Sequence, residues 1–388
     1  MDRFDVITVE KGIRQVGPHR WEVRVYAGRN PETGAIRHVS RGTTKGIKDA
    51  RAIKARLATE VAAGKHGSRS GTFGELLDAW LRDGKQGRSP STLAGYRIKI
   101  ETAIRPALGS VLLEKLTARD LDRWYARLLA GGTSPAMVMH YHRVISAALR
   151  QAEKWQMVPV SVARNASPPT VPAPVTVTPP PDRVRTLIDL AGTTRNPEFA
   201  TVLFVAALTG MRRGELAGLR WSDIDWQGSA LTVTRSIWQT AGGWGPKDPK
   251  THQVRRLDIG PATLAALRGR WERATSAAQL AEVELVADAY VFSPDLTGDR
   301  PTMPDAMTQA FRRLCDTMAE KTGDPWPYRL HDLRHYSATE LVAAGHSMVT
   351  VSKRLGHAKV STTSDIYAHD TNDQAVAAAA SLEAGLAG

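Results

Sequence analysis

Between Arg164 and Pro181 the chain carries seven prolines, as Pro168-Pro169, Pro172, Pro174 and Pro179-Pro180-Pro181, with no hydrophobic periodicity. Proline fixes φ and lacks a backbone donor, so this stretch suits neither a helix interior nor a central strand. It reads as an extended, semi-rigid linker over 164–181. The residues on its two sides must then bury separate cores. A chain of 388 residues carries two or three domains by ordinary size scaling, and 42% hydrophobic against 23% charged residues is a globular balance.

Several function classes drop out. The longest strongly apolar stretch, Phe199 to Leu208, is about half of what crosses a bilayer, and the acidic start Met1-Asp2-Arg3 is no signal peptide. A cytoplasmic protein with no membrane partner is expected. Cys315 is the only cysteine, which excludes an internal disulfide and every multi-cysteine metal pattern. Neither a Walker A loop nor a dinucleotide fingerprint occurs, so no nucleotide cofactor is expected. The formal charge of +13 favours a polyanionic partner, nucleic acid first. Residues 1–70 hold 15 basic and 7 acidic side chains, a surplus of 8 within that 13.

The basic N-terminal part, 1–66, alternates as strands do. Trp21, Val23 and Val25 precede Ile36 and Val39 across the turn Asn30-Pro31-Glu32-Thr33-Gly34, Gly12 to Val16 offers a third strand, and Ile47 to Ala63 has helical spacing before Gly64. A small sheet-plus-helix module results, whose Arg24, Arg37 and Arg41 are candidates for reaching DNA. Residues 72–163 read as an α-bundle opened by the capping-box pair Thr72 and Glu75. Helices are expected over 73–83, 90–104, 117–130 and 134–154, broken at Gly87, Pro106-Ala107-Leu108-Gly109 and Gly131-Gly132. Lys85, Arg88, Arg97 and Lys99 give it a basic side, which serves a DNA clamp or plain solubility equally. A domain over 182–373 follows, then an Ala-rich tail, 374–388, suited to a subunit contact. The fold class is therefore multidomain α+β: a small sheet with a helix, a helical domain, and a mainly helical domain with a small antiparallel sheet.

The chemistry-bearing motifs lie in 182–373. Thr209-Gly210-Met211-Arg212-Arg213-Gly214-Glu215 follows the apolar helix 199–208 and opens another. It puts Arg212 at a helix N-terminus with Glu215 three residues on to hold it, a phosphate site by dipole and guanidinium fork. His331-Asp332-Leu333-Arg334-His335 spaces His331 and Arg334 on one helical face. The His331 and His335 spacing also imitates a zinc site, without that motif's general-base glutamate. Leu355-Gly356-His357 precedes Tyr367 by ten residues. A lone tyrosine is more often structural, and a phenol with pKa near 10 needs charge stabilisation and proton removal to act as a nucleophile. Strands are expected over 225–237 and 254–259, with Lys247-Asp248-Pro249-Lys250-Thr251 in the turn between them.

Taken together, Arg212, Lys250, His331, Arg334, His357 and Tyr367, in that order, resemble the active-site set of tyrosine recombinases, the phage integrase family. The resemblance covers about 72–373, and 1–66 is more loosely similar to arm-site binding modules. One position departs: the family often has serine where Val254 stands, while Arg256 matches, so Lys247 stays an alternative to Lys250. The resemblance implies attack by Tyr367 on a backbone phosphate to leave a 3′-phosphotyrosine, with Arg212 and Arg334 on the non-bridging oxygens. Lys250 is then the acid for the 5′-oxygen, His331 assists proton transfer and His357 hydrogen-bonds the phosphate. No metal or other cofactor is then required. The implied partners are duplex DNA at core and arm attachment sites and three further copies in a tetramer on DNA, with room for a DNA-bending host factor and a directionality factor. Competing readings are a topoisomerase, an idle DNA-binding relative and a metal-dependent hydrolase using His331, His335 and His357.

Overall fold

The computed structural model describes residues 6–29, 35–62, 71–84, 87–172, 178–249, 254–285 and 288–356. The chain divides into two compact units, Met1–Ala173 and Pro174–Gly388.

The first unit opens with β1 (Ile7–Glu10), β2 (Ile13–Gly17), β3 (Arg20–Arg29) and β4 (Ile36–Thr43), an antiparallel sheet in that order, followed by α1 (Ile47–Ala62). Alternation places Trp21, Val23 and Val25 of β3 on one face with Ile13 and Val39. Ala50, Ile53 and Leu57 of α1 pack against them. The expected hairpin and third strand are present, and β1 is a fourth that the sequence did not announce. The turn 30–34 lies outside the described residues, as does the side chain of Arg37. Register puts two of the basic candidates on opposite faces of the sheet. Arg24 lies opposite Ser40 on the open face, whereas Arg41 lies opposite Val23 on the helix side, 3.8 Å from Glu60 of α1.

Next come α2 (Phe73–Arg82), α3 (Pro90–Lys99), a π-turn (Ile100–Ile104), α4 (Arg105–Leu108), α5 (Ala118–Ala130) and α6 (Pro135–Lys154). Thr72 and Glu75 form the reciprocal capping box in front of α2. The break expected at Pro106 is not a break. The π-turn widens the ladder, with the Arg105 amide reaching back to Ile100, so the chain stays helical through a proline that has no amide to offer. Trp80, Leu77, Ile104, Leu121, Ile145 and Leu149 are fully enclosed or nearly so, and each aliphatic side chain of this kind contributes about 1.5–3 kcal/mol. Ala163 is in this core, Ala166 packs on it, and the Ser167 amide donates to Asp122 at 2.7 Å.

The second unit holds α7 (Pro181–Gly192), α8 (Glu198–Thr209), α9 (Arg213–Gly218), β5 (Ile224–Asp225), β6 (Ala230–Val233), β7 (Ser236–Thr240), β8 (Gly243–Lys247) and β9 (Arg255–Asp258). It continues with α10 (Pro261–Leu280), α11 (Pro304–Thr322), α12 (Asp332–Ala343) and α13 (Met348–Leu355). Pro181 is the first residue of α7 rather than linker, a position where its missing amide costs nothing. Helix α8 is apolar almost all round because it runs through the core, against α7, α10 and α12.

The single strand expected over 225–237 is instead three pieces. Asp225 accepts the Gly228 amide at 2.8 Å and turns the chain, so β5 and β6 pair and β9 adds to β6. Strand β7 leaves this sheet to form a separate hairpin with β8. Lys247 therefore ends a strand instead of sitting in a turn, and Lys250 lies outside the described residues. Among the described residues, no helix is long and apolar enough to cross a membrane.

Candidate active site

Helix α8 stops at Gly210, whose φ of +63° is left-handed and cheap only for glycine. A side chain there would run into Leu355 Cδ2 of α13 and come within 3.2 Å of Ser337 Oγ of α12. This tight stop brings the next residues, Met211 and Arg212, up to the ends of α12 and α13. Arg212 is the N-cap of α9. Its amide and its Nη1 both donate to Glu215, at 2.9 Å each, as the spacing of three required.

At the other end of the site, α13 finishes at Gly356, with φ +67°. The last carbonyls of a helix have no partner inside it, and that end carries the negative pole of the dipole. Here three consecutive carbonyls each receive a different arginine: Arg255 Nε reaches Arg354 O at 3.1 Å, Arg334 Nη2 reaches Leu355 O at 2.6 Å, and Arg212 Nη2 reaches Gly356 O at 3.2 Å. Arg334, only 3% exposed, also donates through Nη1 to Gly210 O at 2.6 Å, so it ties the stop of α8 to the stop of α13. Arg354 adds a second tie, donating to Asp258 O at 2.9 Å and Leu208 O at 3.2 Å.

Glu215 is the electrostatic centre of this arrangement. It is 1% exposed and accepts two bonds from Arg212 and two from Arg255, the latter at 3.2 and 2.7 Å. Burial by itself pushes its carboxyl up, but the hydrogen bonds and charge of Arg255, followed by those of Arg212, outweigh it and hold the carboxyl below its ordinary range.

His331 stands at the N-cap position of α12 with helical backbone angles, and its carbonyl accepts the Arg334 amide at 3.0 Å, while Asp332 accepts the Arg329 amide at 2.7 Å. His331 lies edge-to-face with His335, ring centres 5.3 Å apart. It keeps an exposed edge, while the protein atoms crowding its other sides, then His335, Arg334 and Arg212, push its pKa down to about 4 despite the opposing pull of Asp332. The imidazole is therefore neutral at physiological pH and able to accept or relay a proton. Among the described residues, no group of three His, Cys, Asp or Glu side chains could hold a metal ion.

The structure thus brings together Arg212, Glu215, His331 and Arg334. Lys250, His357 and Tyr367 lie outside the described residues, His357 being the residue directly after Gly356. The alternative lysine, Lys247, pairs with Ser236 of β7, the strand that packs on α9. Of the remaining candidates, Arg24 and Arg97 are exposed, and half-buried Lys99 donates to Gly95 O at 3.3 Å.

One site residue went unnoticed in the sequence. The resemblance had fixed on Arg256, but alternation in β9 turns Arg256 outward to Asp225, 2.9 Å away, and its neighbour Arg255 inward to Glu215. The signal that could have found it is the pattern Arg255, Leu257, Ile259, an arginine in register with core residues, which demands a buried acid.

The model of the phage integrase family matches residues 180–374, and that of the phage integrase N-terminal SAM-like domain matches 72–129. The chain is 26% identical over 364 residues to the ICEBs1 integrase of Bacillus subtilis, covering 92% of this chain and 95% of that protein. It is 25% identical over 378 residues to a XerC-like tyrosine recombinase of Caldanaerobacter subterraneus, covering 91% and 93%. The Tn1549 transposon integrase, solved in complex with a circular intermediate DNA, superposes with a TM-score of 0.69 at 20% identity, covering 81% of this chain and 100% of that one. A lambda integrase dimer bound to a COC′ core site gives a TM-score of 0.57 at 18% identity, covering 95% and 98%. The arginines gathered at the end of α13 thus sit in a chain that belongs to the phage integrase family of tyrosine recombinases.

Proposed function

We propose that this protein is a site-specific DNA recombinase that integrates or excises a phage or other mobile element, with Tyr367 as nucleophile. The observation that carries the reading is the convergence of Arg212 and Arg334 on the carbonyls of Leu355 and Gly356 at the end of α13, immediately before His357, which itself precedes Tyr367 by ten residues. The Tyr367 phenolate oxygen bonds to phosphorus as the bond to the 5′-oxygen breaks, giving a 3′-phosphotyrosine and a 5′-hydroxyl. Lys250, or Lys247 in its place, gives the departing 5′-oxygen its proton. Arg212 and Arg334 offset the charge on the non-bridging oxygens, His331 relays a proton, and His357 hydrogen-bonds the phosphate. A 5′-hydroxyl from a second duplex reverses the step with no net loss of phosphodiester bonds, so no nucleotide is consumed.

The domain roles follow the same reading: 1–66 for arm sites, with Arg24, Arg37 and Arg41 as contacts, 72–163 for the core site, with Arg97 and Lys99, and 182–373 for catalysis. Two duplexes need four cleavages. A homotetramer on DNA is its working form, with 374–388 as a subunit contact, in the cytoplasm on the nucleoid. A DNA-bending host factor and a directionality factor are the accessory partners.

The test is a nicked suicide substrate containing the core site. A denaturant-stable protein–DNA adduct is expected, undiminished in EDTA. Binding with no adduct, or an adduct that EDTA abolishes, would overturn the mechanism.

A further inference from the structure

We infer that Arg255 is a positioning residue for strand cleavage, holding Glu215 and the C-terminus of α13 as one unit and so fixing the spacing of Arg212 and Arg334; this rests on the recombinase reading above.

Among the described residues, the hydrogen bonds of the Arg255 side chain go to Glu215 and Arg354 O and to none of the groups assigned a chemical role, yet it spans both halves of the site. Its Nη1 and Nη2 hold Glu215 at 3.2 and 2.7 Å, and its Nε holds Arg354 O at 3.1 Å. The residue is only 9% exposed, and Gly356 leaves it room: a side chain on Gly356 would meet Arg255 Nη1 at 3.0 Å. Glu215 can orient Arg212 only if its own carboxylate is fixed. Two of its four bonds come from Arg212 itself, so the external anchor is Arg255.

The same guanidinium fixes the carbonyl just before the two that Arg334 and Arg212 use. Removing the anchor frees Glu215 to rotate and α13 to slide by fractions of an ångström. The loss belongs to the chemical step rather than to DNA binding, because the Arg255 guanidinium is turned to Glu215 and the Arg354 carbonyl. A lysine cannot replace it: one ammonium on a flexible stem cannot span a bidentate carboxylate and a carbonyl on its third side. Misplacement by about 1 Å in a preorganised site costs up to about 100-fold in rate.

The experiment compares single-turnover cleavage of the suicide substrate by full-length wild type, Arg255→Lys, Arg255→Met, Arg256→Lys, Arg212→Lys and Arg212→Lys/Arg255→Lys, with DNA affinity as the check on folding. Expected are losses of about 10- to 100-fold for both Arg255 variants with affinity within about threefold. Arg256→Lys, whose arginine points outward, should stay within about twofold. In the double variant the Arg255 change should add little to the Arg212 loss, because one acts through the other. Cleavage by Arg255→Lys and Arg255→Met at the wild-type rate, or losses that multiply in the double variant, would overturn the role of Arg255 and leave the recombinase reading standing. No adduct from the wild type overturns both.

Discussion

Replacing Glu215 with glutamine tests how the site is held together. Glutamine has the same shape but only one acceptor oxygen and no charge, so two of the four bonds now accepted become donor-against-donor contacts, at least one of them with the Arg255 guanidinium. Removing one partner of a buried ion pair costs about 3–5 kcal/mol. The Arg212 side chain is 22% exposed and can regain water, whereas that of Arg255 is 8% exposed and cannot, so the lower end, about 3 kcal/mol, is expected. For a unit of this size each kcal/mol shifts Tm by roughly 2–4 °C, giving a fall of roughly 6–12 °C at pH 7.

The pH dependence has a definite sign. The folded pKa of Glu215 lies below its ordinary value of 4.5, so its contribution is complete above about pH 4.5 and disappears as pH falls through the folded value. The difference between wild type and Glu215→Gln, followed by circular dichroism during thermal melting, should shrink at acid pH. A Tm change below about 2 °C at neutral pH, or a penalty as large at pH 3.5 as at pH 7, would show that the Glu215 charge does not hold the two arginines.

Two further outcomes are expected. Gly210→Ala should lower stability by about 1–3 kcal/mol, since φ is +63° and the new methyl group collides with Leu355. It should lower cleavage further still, because Arg334 loses the geometry of its Gly210 acceptor, and an unchanged urea midpoint would contradict this. His331 should titrate with a midpoint near 4 when its ring proton is followed by NMR. Its folded pKa is depressed, so the neutral imidazole is present throughout pH 5.5–8, and any acid limb of cleavage due to this residue falls below that range. A midpoint between 6 and 7 shows instead that the exposed edge of the ring governs it.

How much of this was legible in the sequence depends on the range over which each feature is decided. The box at Thr72 and Glu75, the Arg212 and Glu215 contact and the alternation of β3 are set within a few residues, and spacing alone revealed them. The π-turn that carries a helix past Pro106 depends on packing of Ile100 and Ile104 against the helical core, which no local rule reports. Strands β5, β6 and β7 read as one because Trp226, Leu231, Val233 and Ile237 suit a strand; the local turn signal of Asp225 and Gly228 and a change of partner cut them apart. The face of Arg41 follows by alternation from Val39 two residues before it, whereas its pairing with Val23 and its approach to Glu60 are long-range facts. Least visible were the carbonyls of Arg354, Leu355 and Gly356. Their part in the site is played by backbone, which carries no residue identity, and the inward turn of Arg255 becomes readable only once Glu215 is known to be buried.

The most direct measurement is to trap the adduct, digest the protein and locate the attached nucleotide by mass spectrometry, with Tyr367→Phe in parallel. The nucleotide should be found as a phosphodiester on the Tyr367 oxygen, and Tyr367→Phe should bind the core site but yield no adduct. Attachment at any other residue, or an adduct from Tyr367→Phe, would contradict the account.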